Sequence, residues 1–285
     1  MKSSVKKTIS LVLILVLILS VFAGCSGNTQ VNDPTTPMGG KNSIGKSVGD
    51  IITFGEFEQD NNADNGKEAI EWQIIDIKSG KALIISCSVL DCKEFNEQGK
   101  SDSWEDSLIR EWLNSDFYES AFSLEEKKKI KLTKVENPGI CEGYDSSGCW
   151  LISNDESKLE TVIASSSNHK TTKDYVFLLN VDEINQYFSS NDEKKAFLSI
   201  YGSEKFIKLG LEQAKNNMDI DEKIIREYYE ESAKKYGTGF CNWWLRSSGT
   251  VDGYATAVDF NGIAGQNIEI DKKDCGIRPA MWIGI

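Results

Sequence analysis

The chain has 285 residues, a formal net charge of −12 and a sequence pI near 4.8. Such an acidic protein is repelled by phosphate backbones and anionic lipid headgroups, which argues against nucleic-acid binding and direct adsorption to a membrane surface. Its size fits one large domain, or one domain with an insertion.

The N-terminus predicts export and lipidation. Three lysines precede the apolar run Ile9–Val21, which is too short to span a bilayer as about 20 residues would, so residues 1–24 are predicted to be a signal peptide. The run closes on Val-Phe-Ala-Gly-Cys25, which resembles the bacterial lipobox. That resemblance implies that Cys25 is diacylated and becomes the mature N-terminus. The alternative is an ordinary secretory signal cut elsewhere.

A diacylated Cys25 predicts persistent anchoring at the extracytoplasmic face of the cell membrane. Residues 25–47 comprise this cysteine and a polar stretch with hardly an apolar side chain, typical of a flexible tether. Residues 48–285 are then predicted to form a single extracytoplasmic domain. Loss of the signal peptide, with its three lysines and no acids, takes the formal charge from −12 to −15.

Six cysteines follow Cys25, an even number that permits disulfides in an exported chain. The sequence does not decide the pairing; Cys141 with Cys149 and Cys241 with Cys275 are the best guesses. Alternatively, some of the thiols are small buried apolar groups. The spacing contains no C-x-x-C, so no zinc site is predicted. The six are Cys87, Cys92, Cys141, Cys149, Cys241 and Cys275.

The first part of the domain predicts strands and then a helix. Alternating or continuous apolar segments at Ile51–Phe57, Ile70–Ile77 and Ala82–Leu90 predict an antiparallel meander, whose last two strands are joined by a Ser-Gly turn. The period then changes. Trp104, Leu108 and Trp112 form the apolar stripe of a helix that faces the core, capped by Ser103 and ending near Asn114.

The remaining elements predict the α+β class, because strands are followed by helices and long loops and then by strands again. Residues 190–236 carry heavy charge at helical spacing and are predicted to be a helical insertion. In chain order, the predicted elements are a short charged helix from Ser123 to Ile130, a loop over 135–167, a strand Tyr175–Leu179, a helix Val181–Phe188, helices Glu204–Asn217 and Asp221–Lys235, and strands Trp243–Arg246, Tyr254–Phe260, Gln266–Ile270 and Gly276–Ile283.

One segment resembles the oxygen-ligand spacing of a calcium loop. Asp60, Asn62 and Asp64 alternate, with Asn65 at the turn and Glu71 eleven residues after Asp60. However, strands rather than helices flank the segment, and position six is Asn rather than Gly. A plain polar hairpin is therefore the preferred interpretation, with no resident cofactor and calcium as the alternative.

The strand that begins at Trp243 offers a candidate ligand site. Trp243 and Trp244 are adjacent and point to opposite faces of a strand. An exposed tryptophan beside Arg246, Asp252 and Tyr254 could stack on a sugar ring while the polar groups bind its hydroxyls. We call these four residues, Trp243, Arg246, Asp252 and Tyr254, the tryptophan platform. The alternative is that both tryptophans brace the fold and Arg246 satisfies buried carbonyls.

Catalytic motifs are absent from the sequence. The only histidine, His169, cannot build a triad with an identified partner or a multi-histidine metal site. There is no G-x-S-x-G elbow, H-E-x-x-H motif or phosphate loop. Paired carboxylates could still serve a polysaccharide-acting enzyme, because their required separation is spatial rather than sequential.

Several segments in one order carry a family resemblance. The segments are Gly45–Gly55, Ile70–Asp76, Trp104–Asn114, Trp244–Ser247 and Gly276–Ala280. Together they resemble the uncharacterised family catalogued as domain of unknown function 6273, over residues 45–283. This resemblance implies an exported or surface protein of Gram-positive bacteria and no known activity.

More remotely, the pattern is similar to the C-type-lectin fold in its formylglycine-generating-enzyme variant. This analogy implies that the Trp-Arg strand and the terminal Gly-x-Arg strand lie side by side. The paired reactive cysteines of those enzymes and the histidine cluster of related iron sulfoxide synthases are not matched here. The sequence therefore favours a non-enzymatic surface lipoprotein that binds a glycan or a protein; the alternatives are an exported enzyme and a structural or interaction subunit.

Overall fold

A computed structural model describes residues 47–137, 141–144, 150–153, 163–164, 170–217 and 240–285, and all of them belong to one compact unit. The predicted signal peptide, Cys25 and its tether lie outside the described residues. So do Cys149, His169 and the predicted helix Asp221–Lys235.

The described part is a mixed fold, mostly of strands that pair antiparallel, as the α+β class predicts. Two sheets of four and five strands carry most of the core, and sheets of two and three strands accompany them. The strands are β1 Ile51–Phe57, β2 Glu68–Lys78, β3 Lys81–Ser86, β4 Asp91–Cys92, β5 Thr133–Asn137, β6 Cys141–Tyr144, β7 Trp150–Ser153, β8 Ile163–Ala164, β9 Lys170–Asp174, β10 Trp243–Ser248, β11 Tyr254–Val258, β12 Ala264–Glu269, β13 Gly276–Ile277 and β14 Ala280–Gly284.

The predicted meander is confirmed as β1-β2-β3, and β14 completes this antiparallel sheet beside β3. Ile52 and Phe54 of β1 point inward, as the alternating pattern requires. Between β2 and β3, Ser79 and Gly80 both have positive φ, at 53° and 71°, which matches the two-residue turns whose twist suits a hairpin.

The second sheet has the order β12-β11-β10-β13-β4. Strands β10 and β13 are parallel neighbours with Trp243 opposite Gly276, so the Trp-Arg and Gly-x-Arg strands lie side by side as the lectin analogy implies. The predicted strand Gly276–Ile283 is wrong in one respect, because it breaks at Arg278 and Pro279 and its halves join different sheets. Proline has no backbone N–H to give to a continuing ladder.

The early helix is longer and less regular than predicted. Ser107, not Ser103, caps it by accepting a bond from the backbone N–H of Arg110. It does not end at Asn114, whose side chain accepts from the N–H groups of Tyr175 and Val176 instead of capping the helix. The helical segments are a 3₁₀ turn Trp104–Asp106, α1 Leu108–Trp112, a π-helix Leu113–Phe117, α2 Tyr118–Ala121, α3 Leu124–Lys129, α4 Val181–Tyr187, α5 Asn191–Lys194 and α6 Ile200–Asn217.

The predictions for the middle of the chain have mixed outcomes. Capping boxes at Ser123 and Asn180 start α3 and α4, which confirms both predicted helices. The loop predicted over 135–167 is wrong, because it contains parts of four strands, β5 to β8. The buried segment Tyr175–Leu179 is not a strand and pairs only through an isolated bridge from Phe177 to Ala280. In the predicted insertion, α6 begins at Ile200, four residues earlier than expected, and packs against β4.

Candidate functional site

The structure buries the tryptophans of the predicted ligand site. Trp243 and Trp244 are both fully buried, at 0% exposure. The indole N–H of Trp243 donates to the carbonyl of Lys194, 3.1 Å away, and that of Trp244 to the carbonyl of Lys93 at 2.8 Å. The prediction that one of these tryptophans is exposed is therefore wrong, because both faces of this strand are covered. The alternative, that both indoles brace the fold, is confirmed.

Arg246 is 3% exposed and satisfies buried acceptors. Its guanidinium binds the carboxylate of Glu183, with Nη2 to Oε1 at 2.7 Å, and donates to the carbonyl of Leu178. Asp252 and Tyr254 lie beyond the other end of β10, where Ser248 is opposite Ala255, and Tyr254 contacts the carboxylate of Glu269. About 16 Å of strand separates Trp243 from that end, so the four platform residues do not converge.

Arg278, the arginine of the Gly-x-Arg strand, is also buried. Its guanidinium carbon lies 5.1 Å from the ring centroid of Trp243 and 5.6 Å from that of Phe188, and its Nε donates to the carbonyl of Ser86 at 2.7 Å. Burial lowers the pKa of Arg278 to about 10. Both family arginines thus stabilise the interior, and neither faces a ligand.

The possible calcium loop forms a polar hairpin between β1 and β2. Asp60 accepts from the backbone N–H of Asn62 at 2.9 Å and from the side-chain amide of Asn65 at 2.7 Å, and Asn62 in turn accepts from the N–H of Asp64. Of the acidic side chains among the predicted ligands, all within the described residues, Asp60 joins a group that could hold a cation: one carboxylate oxygen each of Glu58, Asp60 and Glu68 lie within 4.8 Å of one another.

The guess of a disulfide between Cys241 and Cys275 is wrong in this structure. Cys87, Cys92, Cys241 and Cys275 all carry free thiols. A Cβ built on Gly276 would lie 3.0 Å from the sulfur of Cys241, so that sulfur packs against the neighbouring strand. Burial raises the pKa of Cys92 to about 12 and those of Cys241 and Cys275 well above the ordinary value. Protonated, enclosed thiols are poor nucleophiles, and small buried apolar groups describe them best.

An open site lies elsewhere, in a cleft of about 290 Å³ between β4, the early helix and α6. We call it the Trp112 cleft. Its walls combine apolar side chains with charged ones, an arrangement typical of small-molecule sites. The residues that line it are Cys92, Lys93, Glu94, Leu108, Trp112, Lys205, Leu209 and Lys273.

Trp112 is held in place from below but stays partly exposed. Phe57 and Phe117 pack against its ring, with centroids 6.2 and 5.2 Å away. The ammonium of Lys93 lies 4.8 Å from the centroid of the same ring, within reach of a cation–π interaction. Trp112 was predicted to belong wholly to the core stripe; the structure places it at the edge of that stripe, where it also forms a wall of the cleft.

A buried carboxylate fixes the helix that carries Trp112. Asp174 is fully buried and accepts from the indole N–H of Trp104 at 2.9 Å, the guanidinium of Arg110 at 2.7 Å and the hydroxyl of Thr172 at 2.6 Å. A buried charge is tolerated when it is paired and its lone pairs are used. The predicted core roles of Trp104 and Arg110 are consistent with these bonds.

The lysines of the cleft are organised by two carboxylates. The side chain of Asp91, 4% exposed beneath the wall, contacts Lys205 at 2.5 Å and Lys93 at 3.4 Å. Lys273, 62% exposed at the rim, lies 3.7 Å from Glu94. Sequence reasoning missed these lysines because they come from positions as far apart as 93 and 273, and no local motif joins them.

Apart from the Glu58, Asp60 and Glu68 group, the carboxylates of Asp102 and Asp252 also interact. Burial raises the pKa of Asp102, and the charge of neighbouring Asp252 raises it further, against a backbone hydrogen bond from Gly253. A polysaccharide-acting enzyme needs two carboxylates that flank the scissile bond, and Asp102 with Asp252 is the candidate pair considered for that role.

The fold and the cleft define the class of protein. It is a mixed α and β domain with a small surface cleft that is lined by both polar and apolar side chains. Residues 79–285 match the family described as domain of unknown function (DUF6273), and the chain belongs to that family. No curated protein and no solved structure matches it. None of the helices in the described ranges is long and apolar enough to cross a bilayer.

Proposed function

We propose that this protein is a lipid-anchored extracytoplasmic lipoprotein whose domain binds a glycan or protein ligand in the Trp112 cleft. The observation that carries the binding function is the cleft itself, which is lined by a partly exposed indole and by three lysine side chains. Aromatic faces with a few convergent polar groups are the usual components of such sites. Trp243 and Arg246 of the tryptophan platform are buried and are assigned to stability.

The anchoring part of the proposal rests on the lysines, the apolar run and the lipobox-like end of residues 1–24. Its test is incorporation of labelled palmitate by the full chain in a bacterial host. We expect Cys25→Ser to abolish labelling and to release the protein from the membrane fraction. The matched control is Cys87→Ser, which changes a partly exposed cysteine of the domain and should leave labelling intact. Labelling that survives Cys25→Ser contradicts the assignment.

We also propose the lectin-like variant for the fold. It is supported by the early helix, the antiparallel meander and the parallel neighbours β10 and β13. This likeness concerns architecture only and supplies no ligand.

The binding function is tested by titrating glycans of the bacterial wall and of the host into the protein, with and without calcium, and reading tryptophan fluorescence. We expect a saturable change that Trp112→Phe removes. Trp282→Phe is the matched control, because Trp282 is also partly exposed but lies on β14, outside the cleft. Equal responses from both variants would contradict a site at Trp112.

A second candidate, an exported polysaccharide-acting enzyme, is favoured only by the interaction of Asp102 with Asp252. It predicts slow release of reducing ends from a polysaccharide. Asp102→Asn and Asp252→Asn should each abolish that release, while Trp112→Phe should leave the chemistry intact. No release above background by the unaltered protein would remove this candidate.

A further inference from the structure

The charges on the wall of the Trp112 cleft contrast with those of the whole protein. Three lysines and a single carboxylate, Glu94, line the cleft, whereas the chain carries a net charge of −12. Ammonium groups gathered in one concave site of an acidic protein focus a local positive potential. An anionic group is the complementary ligand feature.

Carboxylates reduce this potential: Glu94 on the wall and Asp91 behind it oppose the three ammonium groups, which leaves one positive charge in excess among these five side chains. Asp91 is buried and shared by two ammonium groups, those of Lys93 and Lys205, so one carboxylate faces two cations. Asp274 acts on the Cys92 thiol electrostatically but does not line the cleft. Lys273 is the most exposed of the three lysines, and its 3.7 Å contact with Glu94 is loose, so its ammonium is available to a ligand.

The apolar wall restricts the ligand further. Trp112, Leu108 and Leu209 offer a surface of indole and aliphatic carbon, which suits the C–H face of a sugar ring. The volume of about 290 Å³ is near the lower end for ligand pockets and fits roughly one ring rather than a long chain. The negative charge of the surrounding protein repels polyanions, which favours a single acidic group on an otherwise neutral ligand.

We propose, resting on the binding function proposed above, that the Trp112 cleft recognises one anionic sugar residue, whose ring stacks on Trp112 and whose acid group is bound by Lys93 and Lys273. The acid group is a carboxylate, as in a uronic acid, or a phosphate ester. Both use charge-assisted hydrogen bonds from ammonium groups.

The test uses the full chain in neutral detergent micelles at about physiological salt, where exposed charges are screened beyond roughly 8 Å. The probes are methyl glucuronide, glucose 6-phosphate and, as the neutral match, methyl glucoside. Saturation-transfer NMR gives the affinity of each. The first two probes distinguish a carboxylate from a phosphate ester, and the third measures what the ring alone contributes.

The decisive variants are adjacent and carry the same charge change. We expect Lys273→Glu to weaken binding of the acidic probe by about tenfold or more, because a cation becomes an anion at the rim. Lys272→Glu is the matched control. Lys272 pairs with Glu269 at 2.9 Å, away from the cleft, and this variant should change affinity less than about twofold.

Each other outcome overturns a stated part of the proposal. If the two variants weaken binding equally, the probe responds to overall charge and the anionic site is refuted. If methyl glucoside binds as well as the acidic probes, and Trp112→Phe but not Lys273→Glu removes it, the anionic specificity is wrong while the proposed binding function stands. If no probe binds and the glycan titration is also flat, both fail.

Discussion

The β10 strand and the Trp112 cleft contain the same kinds of side chain, an indole near cationic groups, yet one is closed and the other open. Trp243 is enclosed by Lys194, Arg278 and the neighbouring strands. Trp112 is packed by two phenylalanines and by the ammonium of Lys93, and it stays partly exposed. The difference shows that burial by distant segments, rather than residue type, decides whether a tryptophan can meet a ligand.

The largest expected loss of stability comes from replacing the buried tryptophan of β10. Trp243→Ala removes a fully buried indole and should lower the free energy of unfolding by about 3–5 kcal/mol, because a cavity is left in a packed core. Urea unfolding followed by circular dichroism measures it. Trp112→Phe, which keeps an aromatic ring at the cleft, is the reference and should cost much less. Similar small losses in both variants would break the comparison.

Arg246→Ala should be the next most destabilising change, by about 3 kcal/mol, because it leaves the carboxylate of Glu183 and the carbonyl of Leu178 without their buried donor. Arg246→Lys retains the charge but not the forked donor and should give an intermediate loss. The same urea titrations report both. If Arg246→Ala lost ligand binding without any loss of stability, the result would contradict the structural role and assign Arg246 to the binding site.

A smaller expected effect concerns the pH dependence of stability, at Glu126 of α3. Burial alone would raise the pKa of Glu126, but hydrogen bonds from the hydroxyl and N–H of Ser123 and from the N–H of Gly55 outweigh it and lower the pKa. A lowered folded-state pKa contributes stability that is present above the unfolded pKa and is lost as pH falls through the folded value. Stability should therefore decline on acidification below about pH 5.

Part of that decline should disappear in Glu126→Gln, which is measured by thermal unfolding between about pH 3 and 7. Glu125→Gln is the matched control, because it removes a carboxylate of the same helical turn whose recorded partner is Lys128, in a largely exposed pair. If Glu126→Gln follows the pH dependence of the unaltered protein, the assigned cause is incorrect.

The smallest expected effect on stability comes from a substitution at the rim of the Trp112 cleft. Lys273→Glu should change the free energy of unfolding by less than about 1 kcal/mol, since exposed ion pairs contribute little. The same variant is expected to weaken binding strongly. A large loss of stability would mean that Lys273 braces the fold as Arg246 does.

Local patterns predicted much of the fold. Alternation located β1 and the meander, and the Ser123–Glu126 capping signature located α3. The paired strands β5 and β9 were not predicted, because Lys170–Asp174 is polar throughout and has no apolar alternation to detect. The helix that contains Asn114 was ended too early because the same amide that can stop a helix can bond another segment, and only the folded chain decides between them.

The candidate site was much less predictable. The lysine side chains of the cleft come from the residue after β4, from α6 and from the segment before β13, and nothing local marks their convergence. The tryptophan platform, in contrast, was predicted from the local run that contains Trp243, Trp244 and Arg246, but all three of these side chains are buried. Sequence identified the residues with chemical potential, and tertiary contacts decided which of them reach solvent.

The central claim, that the ligand meets the Trp112 cleft rather than the end of β10, is tested most directly by lysine footprinting. The protein is reductively methylated with and without a saturating glycan, and modification of Lys273 and Lys272 is compared by mass spectrometry. Lys273 reports on the cleft, whereas Lys272 contacts Glu269 beside Tyr254. The account predicts protection of Lys273 with Lys272 unchanged. Protection of Lys272 alone would contradict it and place the ligand at Asp252 and Tyr254.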